Sequence, residues 1–179
     1  MNYIIVDLEA TCWEDSDSLE KMEMIEIGAV LMGGDPLRQY AEKDIFVKPA
    51  INPELSIFCM TLTNIRQHWI DEADTYPEAF REFIEWIGTE HFKLCSWGEF
   101  DFDLFNLENQ RHSTRFPENF SGHINLKTLF AEAFNSKPGI GLKAAMRKLG
   151  ITFHGTPHRG IDDARNIATL AERVLVLDY

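Results

Sequence analysis

The sequence predicts a single α/β domain with a mixed five-stranded sheet, an antiparallel meander followed by parallel strands, flanked by helices. Three observations support this prediction. Short runs rich in β-branched residues, each bounded by turn residues, are typical of buried strands. Between the later runs, apolar residues recur at helical spacing. The length of 179 residues is that of one domain with a sizeable core, so we expect residues 1–179 to fold as one unit.

The first three predicted strands form the meander. Their predicted ranges are Tyr3–Leu8, Met24–Met32 and Tyr40–Val47. Only the turn residues Gly33–Pro36 and a few neighbours separate the second strand from the third, and a short connection favours antiparallel pairing. The segment Pro49–Pro53 then ends the pattern.

Helices and strands alternate in the rest of the chain. Pro77 suits the first position of a helix, and Gly88 is a suitable end for it. The remaining predicted elements are the strand Phe92–Trp97, the helix Asp101–Gln110, the strand His123–Leu126 and the helices Gly141–Leu149 and Asp163–Leu177.

The composition is that of an ordinary globular protein, with 45% hydrophobic and 26% charged residues. No apolar run approaches the roughly 20 residues that span a bilayer, and no basic stretch precedes the first apolar run. We therefore expect neither a membrane segment nor a secretory signal. The cysteines, Cys12, Cys59 and Cys95, are widely spaced and indicate neither a disulfide framework nor a zinc site. These features predict a cytoplasmic localisation.

The net charge of −12 argues against a passive nucleic-acid binder, whose affinity depends on Lys and Arg side chains. The charge is unevenly distributed, however. Residues 1–126 carry 9 basic and 24 acidic side chains, whereas residues 127–173 carry 8 basic and 4 acidic ones. The basic segment either binds polyanions at one place or reflects chance clustering on solvated helix faces, and charge alone leaves both interpretations open.

Asp7 and Glu9 lie two residues apart at the end of the first predicted strand. Strand residues with this spacing point to the same face. Neighbouring carboxylates raise each other's pKa unless a cation lies between them, and a hard divalent ion such as Mg²⁺ takes carboxylate oxygens as ligands. Taken alone, such a pair of acids is equally typical of an ordinary strand that ends in solvent.

Three acids, Glu99, Asp101 and Asp103, follow the predicted strand Phe92–Trp97. Each of them is a candidate for a site at that end of the strand. Asp101 and Asp103 also suit the first turn of a helix, where acidic side chains interact favourably with the helix dipole. This segment alone does not decide between the two interpretations.

The segment PHRGIDDARN, residues 157–166, places His158 on a loop and two acids at the start of a long helix. Because the pKa of histidine lies near about 6.5, His158 is suited to general-base catalysis at neutral pH. Asp162 is a candidate for the helix N-cap, which leaves Asp163 to face a site. A surface histidine beside an ordinary helix cap is the alternative.

Together, the three segments can converge at one end of the sheet, because two follow strands and one begins a helix. Four carboxylates at one place are electrostatically costly without cations. Two divalent ions about 3.5–4 Å apart would offset the repulsion between the carboxylates. Pairs of ions with this spacing also catalyse in-line displacement at phosphorus. The sequence therefore predicts metal-dependent phosphoryl chemistry.

The segments DLEAT, SWGEFD and PHRGIDDARN resemble the three motifs of the DEDDh 3′–5′ exonucleases, a DnaQ-like branch of the ribonuclease H-like fold. DLEATC, LSIFCMTLTNI and PHRGIDDARNIA are similar to the Eri-1/KapD-type exonucleases, several of which act on RNA. The resemblance extends from residue 3 to about residue 175. It implies a ribonuclease H-like topology for the predicted sheet.

The resemblance implies roles for individual residues. The positions that match the four metal-binding acids of the family are Asp7, Glu9, Asp101 and Asp163. His158, five residues before Asp163, matches the general base, and this spacing selects Asp163 over Asp162. The positions that match substrate contacts are Leu8, Ala10, Thr11, Thr63, Ile65 and Phe100.

The third metal-binding acid has to be chosen from three candidates that lie close together in the sequence. Asp101 is preferred to Asp103 and Glu99 because it follows a strand, a glycine and an aromatic residue, as in the family motif. The other two acids remain alternatives at this stage.

The activity that the resemblance implies is that of a 3′–5′ exonuclease with two divalent metal ions, Mg²⁺ or Mn²⁺. It would release nucleoside 5′-monophosphates from the 3′ ends of single-stranded RNA or DNA, with RNA favoured by the Eri-1/KapD likeness. The alternatives are a DNA-directed proofreading or repair exonuclease, an endonuclease of the ribonuclease H type, and an inactive nucleic-acid-binding module. We expect a monomer or homodimer without a membrane partner, and the sequence identifies no protein partner.

Overall fold

Six β-strands form one mixed sheet in the computed structural model, which describes residues 1–15 and 18–175. The strands are β1 Asn2–Ala10, β2 Met24–Gly33, β3 Arg38–Lys48, β4 Asp74–Thr75, β5 Phe92–Ser96 and β6 Phe120–Asn125. Their order across the sheet is β4-β3-β2-β1-β5-β6. The predicted α/β class and mixed sheet are confirmed. The sheet has one strand more than the five predicted, because two-residue β4 leaves no periodic pattern in the sequence.

The strands β1, β2 and β3 form the predicted antiparallel meander, and β5 pairs in parallel with both β1 and β6. In the β1–β2 pair, Asp7 lies opposite Gly28 and Glu9 lies opposite Glu26. The pairing of β1 with β5 ends at Ile5. The C-terminal half of β1, which carries both carboxylates, therefore extends past β5.

Seven α-helices accompany the sheet in the described part of the chain. They are α1 Ile57–Thr63, α2 Gln67–Asp71, α3 Tyr76–Ile87, α4 Phe100–His112, α5 Leu126–Ala133, α6 Leu142–Lys148 and α7 Gly160–Val174. Pro77 lies in the first turn of α3 and Gly88 caps its C-terminal end, as predicted. The ranges predicted for α4 and α6 differ from the observed ones by at most two residues.

The predicted strand His123–Leu126 is displaced in the structure, where β6 covers Phe120–Asn125. Leu126 begins α5 because the side chain of Asn125 accepts a hydrogen bond from the backbone N of Thr128 at 3.2 Å. Such an N-cap starts a helix at the following residue.

The predicted start of the last helix at Asp163 is also corrected. α7 begins at Gly160, so Asp162 lies inside the first turn and is not its N-cap. The predicted end at Leu177 falls within residues 176–179, which lie outside the described residues.

Each face of the sheet has an apolar core, because side chains alternate between the two faces of a strand. Ile5 belongs to the core formed with α5, α6 and α7, whereas Ile4 and Val6 belong to the core formed with α3 and α4. A smaller cluster attaches α1 and α2 to β2 through Ile25, Cys59, Ile65 and Ile70. Among the described residues no helix combines the length and apolar character that a bilayer crossing requires.

Candidate active site

Asp7 and Glu9 lie in the half of β1 that extends past β5. Burial raises the pKa of Asp7 well above its ordinary value, and the charges of nearby carboxylates raise it further; these carboxylates are Asp101, Glu9, Asp163 and Glu26. The buried Glu9 has a pKa raised to about 9, first by burial and then by the same kind of repulsion. The four acids named from the sequence, Asp7, Glu9, Asp101 and Asp163, are therefore electrostatic neighbours, and we call them the carboxylate cluster.

Asp101, in the first turn of α4, binds the edge of β1 that β5 leaves unpaired. Its Oδ1 accepts a hydrogen bond from the backbone N of Leu8 at 2.9 Å. The side chain is buried, and its pKa is raised to about 6 mainly by burial. Asp103 and Glu99 are exposed. The structure therefore places Asp101, and neither of the two alternatives, beside Asp7.

A hydrogen bond across the start of α7 connects His158 and Asp163. The backbone of His158 is left-handed, with φ of 60°, and its N donates to Asp163 Oδ2 at 2.7 Å. The His158 side chain is exposed, whereas Asp163 has only 9% of its surface exposed. Ligand atoms of Glu9, His158 and Asp163 all lie within 4.8 Å of one another. The histidine is thus directly beside the carboxylate cluster.

Asp162, the alternative to Asp163, has other partners. Its Oδ2 accepts a hydrogen bond from the backbone N of Thr156 at 2.8 Å, and its Oδ1 accepts one from Arg165 at 2.8 Å. Asp162 therefore stabilises the loop that precedes α7, and Asp163 alone of the two acids reaches the cluster.

Gly160 allows the first turn of α7 to approach the sheet closely. A Cβ atom at this position would lie 2.7 Å from the carbonyl O of Asp7 and 3.2 Å from the carboxylate carbon of Glu26. Any side chain here would push the helix away from β1. The glycine that follows His158 and Arg159 therefore sets the separation between Asp163 and Asp7.

A buried ion pair, which sequence analysis missed, anchors the loop before α7. Glu26 on β2 has no exposed surface and accepts hydrogen bonds from Arg159 Nε at 3.2 Å and Nη2 at 3.3 Å. Arg159 also pairs with Asp44 on β3 at 3.3 Å, and its guanidinium lies 5.4 Å and 5.5 Å from the ring centres of Phe46 and Trp69. The sequence signal for this ion pair is a glutamate within the apolar run MIEIGAVLM, because a charge that is buried with its strand needs a partner of opposite charge.

The predicted substrate positions differ in exposure. The buried side chains are those of Leu8, Ala10, Thr11, Thr63 and Ile65. Thr63 Oγ1 donates to the carbonyl O of Cys59 at 2.9 Å and accepts from the backbone N of Ile65 at 3.1 Å, so both residues stabilise the end of α1. Phe100, next to Asp101, has 44% of its surface exposed. It is the one predicted substrate position with an exposed side chain.

Helix α1 exposes apolar side chains near the end of β1, which sequence analysis did not predict. Cys59 Sγ lies 3.6 Å from the carbonyl O of Ala10, and Ser56 Oγ donates to the carbonyl O of Cys12 at 2.6 Å. These contacts attach α1 to the residues that follow Glu9. The exposed apolar side chains of the helix are Ile57, Phe58 and Leu62.

The carboxylate cluster has the chemistry of a site for hard divalent cations. Carboxylate oxygens are the preferred ligands of Mg²⁺ and Mn²⁺. Neighbouring carboxylates raise the pKa values of Asp7 and Glu9, and no cationic side chain is among the main causes that act on these two groups. Divalent cations therefore fit these residues in both charge and ligand type.

Comparison with known proteins identifies the family. The exonuclease family model, RNase_T, matches residues 4–171. The 3′-5′ exoribonuclease 1 of Homo sapiens is 33% identical over 179 residues, which cover 96% of this chain and 51% of the relative. The chain therefore spans about half the length of that curated relative.

Solved structures show the same fold. The nuclease domain of 3′hExo, described as a DEDDh family member bound to rAMP, has a TM-score of 0.89 and 32% identity, covering 98% of this chain and 92% of that one. A 3′-exonuclease structure described as showing 3′-end specific recognition of histone mRNA stem-loop has a TM-score of 0.89 and 31% identity, covering 97% and 63% of the two chains. The chain accordingly belongs to the exonuclease family and has the ribonuclease H-like fold of a DEDDh nuclease domain.

Proposed function

We propose that this protein is a metal-dependent 3′–5′ exonuclease that releases nucleoside 5′-monophosphates from the 3′ ends of single-stranded RNA. The observation that carries the proposal is the convergence of four carboxylates, two of them with strongly raised pKa values, beside an exposed histidine. Membership of the exonuclease family supports the reaction class. The rAMP bound to a similar nuclease domain supports a nucleoside monophosphate as the product.

The residues proposed to hold two divalent ions, Mg²⁺ or Mn²⁺, are Asp7, Glu9, Asp101 and Asp163. When bound, such ions stabilise the negative charge that develops on the phosphate and on the leaving oxygen. The chain keeps these carboxylates in position before any ligand arrives. The backbone N of Leu8 fixes Asp101, and the backbone N of His158 fixes Asp163.

His158 is the proposed general base. Its exposed imidazole can take a proton from the water that attacks the terminal phosphodiester and pass it to solvent. The hydrogen bond between its backbone and Asp163 keeps the base and the carboxylate at a constant separation. The attack breaks the bond to the 3′ oxygen of the penultimate nucleotide, which leaves a nucleoside 5′-monophosphate as the product.

The terminal nucleotide is proposed to contact the end of β1, from Leu8 to Thr11, together with exposed aromatic rings. Stacking of a base on an aromatic side chain contributes about 1–3 kcal/mol. Phe100 and Phe58 expose enough of their rings for such stacking. Thr63 and Ile65 are proposed to act indirectly, by stabilising the C-terminal end of α1, the helix that carries Phe58 in its first turn.

Matched, 5′-labelled single-stranded RNA and DNA oligonucleotides, incubated with Mg²⁺ or Mn²⁺, test the proposal. We expect progressive shortening from the 3′ end, faster on RNA than on DNA, with no products in EDTA. The relatives named as exoribonucleases support RNA as the better substrate. Faster cleavage of DNA would favour the DNA-directed exonuclease, and internal fragments would favour an endonuclease. Binding without cleavage would indicate an inactive binding module.

A further inference from the structure

Helix α6 exposes three cationic side chains, Lys143, Arg147 and Lys148. Lys143 and Arg147 are four residues apart, a spacing that places them on the same side of a helix. Within residues 1–15 and 18–175, none of the three pairs with an acidic side chain. This positively charged surface contrasts with the net charge of −12 of the whole protein.

Two other basic residues of this part of the chain, Arg159 and Arg165, are engaged in ion pairs. Arg159 pairs with Glu26 and Asp44, and Arg165 pairs with Glu42 and Asp162. Their charges are therefore offset within the protein. Helix α6, in contrast, carries three cations whose charge is available for an anionic ligand.

A groove of about 440 Å³ lies beside these cations. Its lining consists of Lys143, Arg147, Gly150, Ile151, Thr152 and Phe153. The Nζ of Lys143 lies 5.2 Å from the centre of the Phe153 ring, which holds the ammonium group at the groove. The groove therefore combines cations with one partly buried aromatic ring.

The groove is joined to the candidate site by the loop that precedes α7. Phe153 lies in the loop that leads from α6 to His158, and Asn166 of α7 fixes this loop through hydrogen bonds of 3.0 Å and 2.7 Å with the backbone of His154. The pKa of Asp163 is raised by burial, and among the opposing effects is the positive charge of Lys143. The loop and Lys143 therefore place the groove on the side of the site where Asp163 lies.

The approach from α4 is more acidic. Glu99 and Asp103 are exposed within two residues of Asp101, and Asp103 carries no ion pair among the described residues. Lys127 is a cation on that side, since its Nζ lies 3.1 Å from where a Cβ of Gly98 would be. A polyanionic strand therefore meets two exposed carboxylates and one cation on the side of α4, and three cations on the side of α6.

We propose that Lys143 and Arg147 bind the phosphates of the substrate strand on the 5′ side of the cleaved nucleotide. This inference rests on the proposed exonuclease function and adds the direction in which the strand leaves the site. The contacts are with phosphates and therefore independent of base sequence. They stabilise long substrates and have no effect on a dinucleotide, which does not extend to α6.

The test compares the double variant Lys143→Ala/Arg147→Ala with the double variant Arg38→Ala/Lys93→Ala. Both change the net charge equally. Arg38 begins β3 and Lys93 pairs with Tyr3 at the start of β1, so the control cations lie at the opposite end of the sheet from Glu9. All variants are assayed on an RNA dinucleotide and on an RNA dodecamer with Mg²⁺, after thermal unfolding shows that they fold.

We expect the Lys143→Ala/Arg147→Ala variant to lose about tenfold in kcat/KM on the dodecamer at about 0.1 M salt, with unchanged hydrolysis of the dinucleotide. The salt dependence of dodecamer binding, measured by fluorescence anisotropy in an Asp7→Asn background, should fall in slope by about 1.4, or about 0.7 for each phosphate that is no longer neutralised by a cation. The control variant should match the parent protein in both measurements.

Equal losses in the two double variants would overturn the inference, because they would reflect net charge alone. An unchanged dodecamer reaction in the Lys143→Ala/Arg147→Ala variant would also overturn it, while hydrolysis by the parent protein leaves the proposed function standing. If the parent protein neither binds nor cleaves either RNA, the proposed function fails and the inference fails with it.

Discussion

The Cβ atom that Gly28 lacks would lie 2.0 Å from the carbonyl carbon of Gly160. The backbone of β2 and the backbone at the start of α7 are therefore in direct contact. This contact joins the strand pair that carries Asp7 and Glu9 to the helix that carries Asp163. Since both partners are backbone, no change of side-chain rotamer can make room for an added methyl group.

Gly28→Ala should therefore destabilise the protein by about 3 kcal/mol or more, because overpacking at a contact without flexible atoms forces the backbone apart. Urea unfolding measures the change. Gly141→Ala is the matched control, since a Cβ there meets no atom within 4 Å and the residue has an ordinary negative φ of −72°. Similar stabilities for the two variants would show that β2 and α7 are not in backbone contact.

The stability of the metal-free protein should fall as pH rises, and Glu9 should contribute to the fall. The pKa of Glu9 is about 9 in the folded protein, against an ordinary value of 4.5. Between these two pH values the unfolded chain loses a proton that the folded chain keeps, so the contribution is complete below about pH 4 and is lost by about pH 9.

Glu9→Gln removes this dependence. In EDTA, the difference in free energy of unfolding between Glu9→Gln and the parent protein should move in favour of the variant from about pH 5 to about pH 8, by at most about 1.4 kcal/mol per pH unit. Urea titrations at several pH values provide the measurement. A difference that does not change with pH would contradict the raised pKa.

Asp7→Asn should abolish hydrolysis without loss of stability in the metal-free state. The substitution removes a buried charge that repels its neighbours, so the apo-variant should unfold at the same temperature as the parent or at a higher one. Added Mg²⁺ should raise the unfolding temperature of the parent protein and have a smaller effect on the variant. An unfolding temperature well below that of the parent in EDTA would indicate a structural role for Asp7.

His158→Ala should reduce turnover by about 10²–10⁴-fold, the usual consequence of losing a general base. His154→Ala is the matched control, because His154 lies exposed in the same loop and its observed hydrogen bonds involve only the backbone. The control should retain the parent rate on the same RNA substrate. Near-normal turnover in His158→Ala at neutral pH would exclude His158 as the base.

Arg159→Ala should destabilise the protein by about 3–5 kcal/mol, because it leaves the carboxylate of Glu26 buried and unpaired. Adding Glu26→Gln in the same chain should recover part of the loss, since the second substitution removes the unpaired charge. A double-mutant cycle followed by urea unfolding measures the coupling. Purely additive losses would show that the pair has no energetic connection.

Helices and strands were predictable where the pattern of apolar residues extends over many positions. The β-branched runs of β1 and β2 predicted the meander, and the spacing of apolar residues after Pro77 predicted α3. Short elements were not predictable in this way, because α2 has five residues and β4 has two. At such lengths, tertiary contacts decide the conformation and periodicity carries little information.

The residues of the candidate site could be named from the sequence, but the contacts between them could be predicted only in part. The spacing between His158 and Asp163 identified a pair that the structure connects by a hydrogen bond. The partner of Asp101 could not be read from the sequence, because its hydrogen bond to Leu8 depends on where β5 ends. The roles of Glu26 and Arg159 likewise depend on a contact between residues that are far apart in the chain.

The anchor formed by Glu26 and Arg159 has a consequence for how the protein tolerates mutation. Arg159 lies between His158 and Asp163 in the chain, so one attachment point serves both the proposed general base and a proposed metal ligand. Detachment of this short stretch would remove the two functions simultaneously. Substitutions that weaken the anchor should therefore lower the fraction of competent molecules and leave the rate of each competent molecule unchanged.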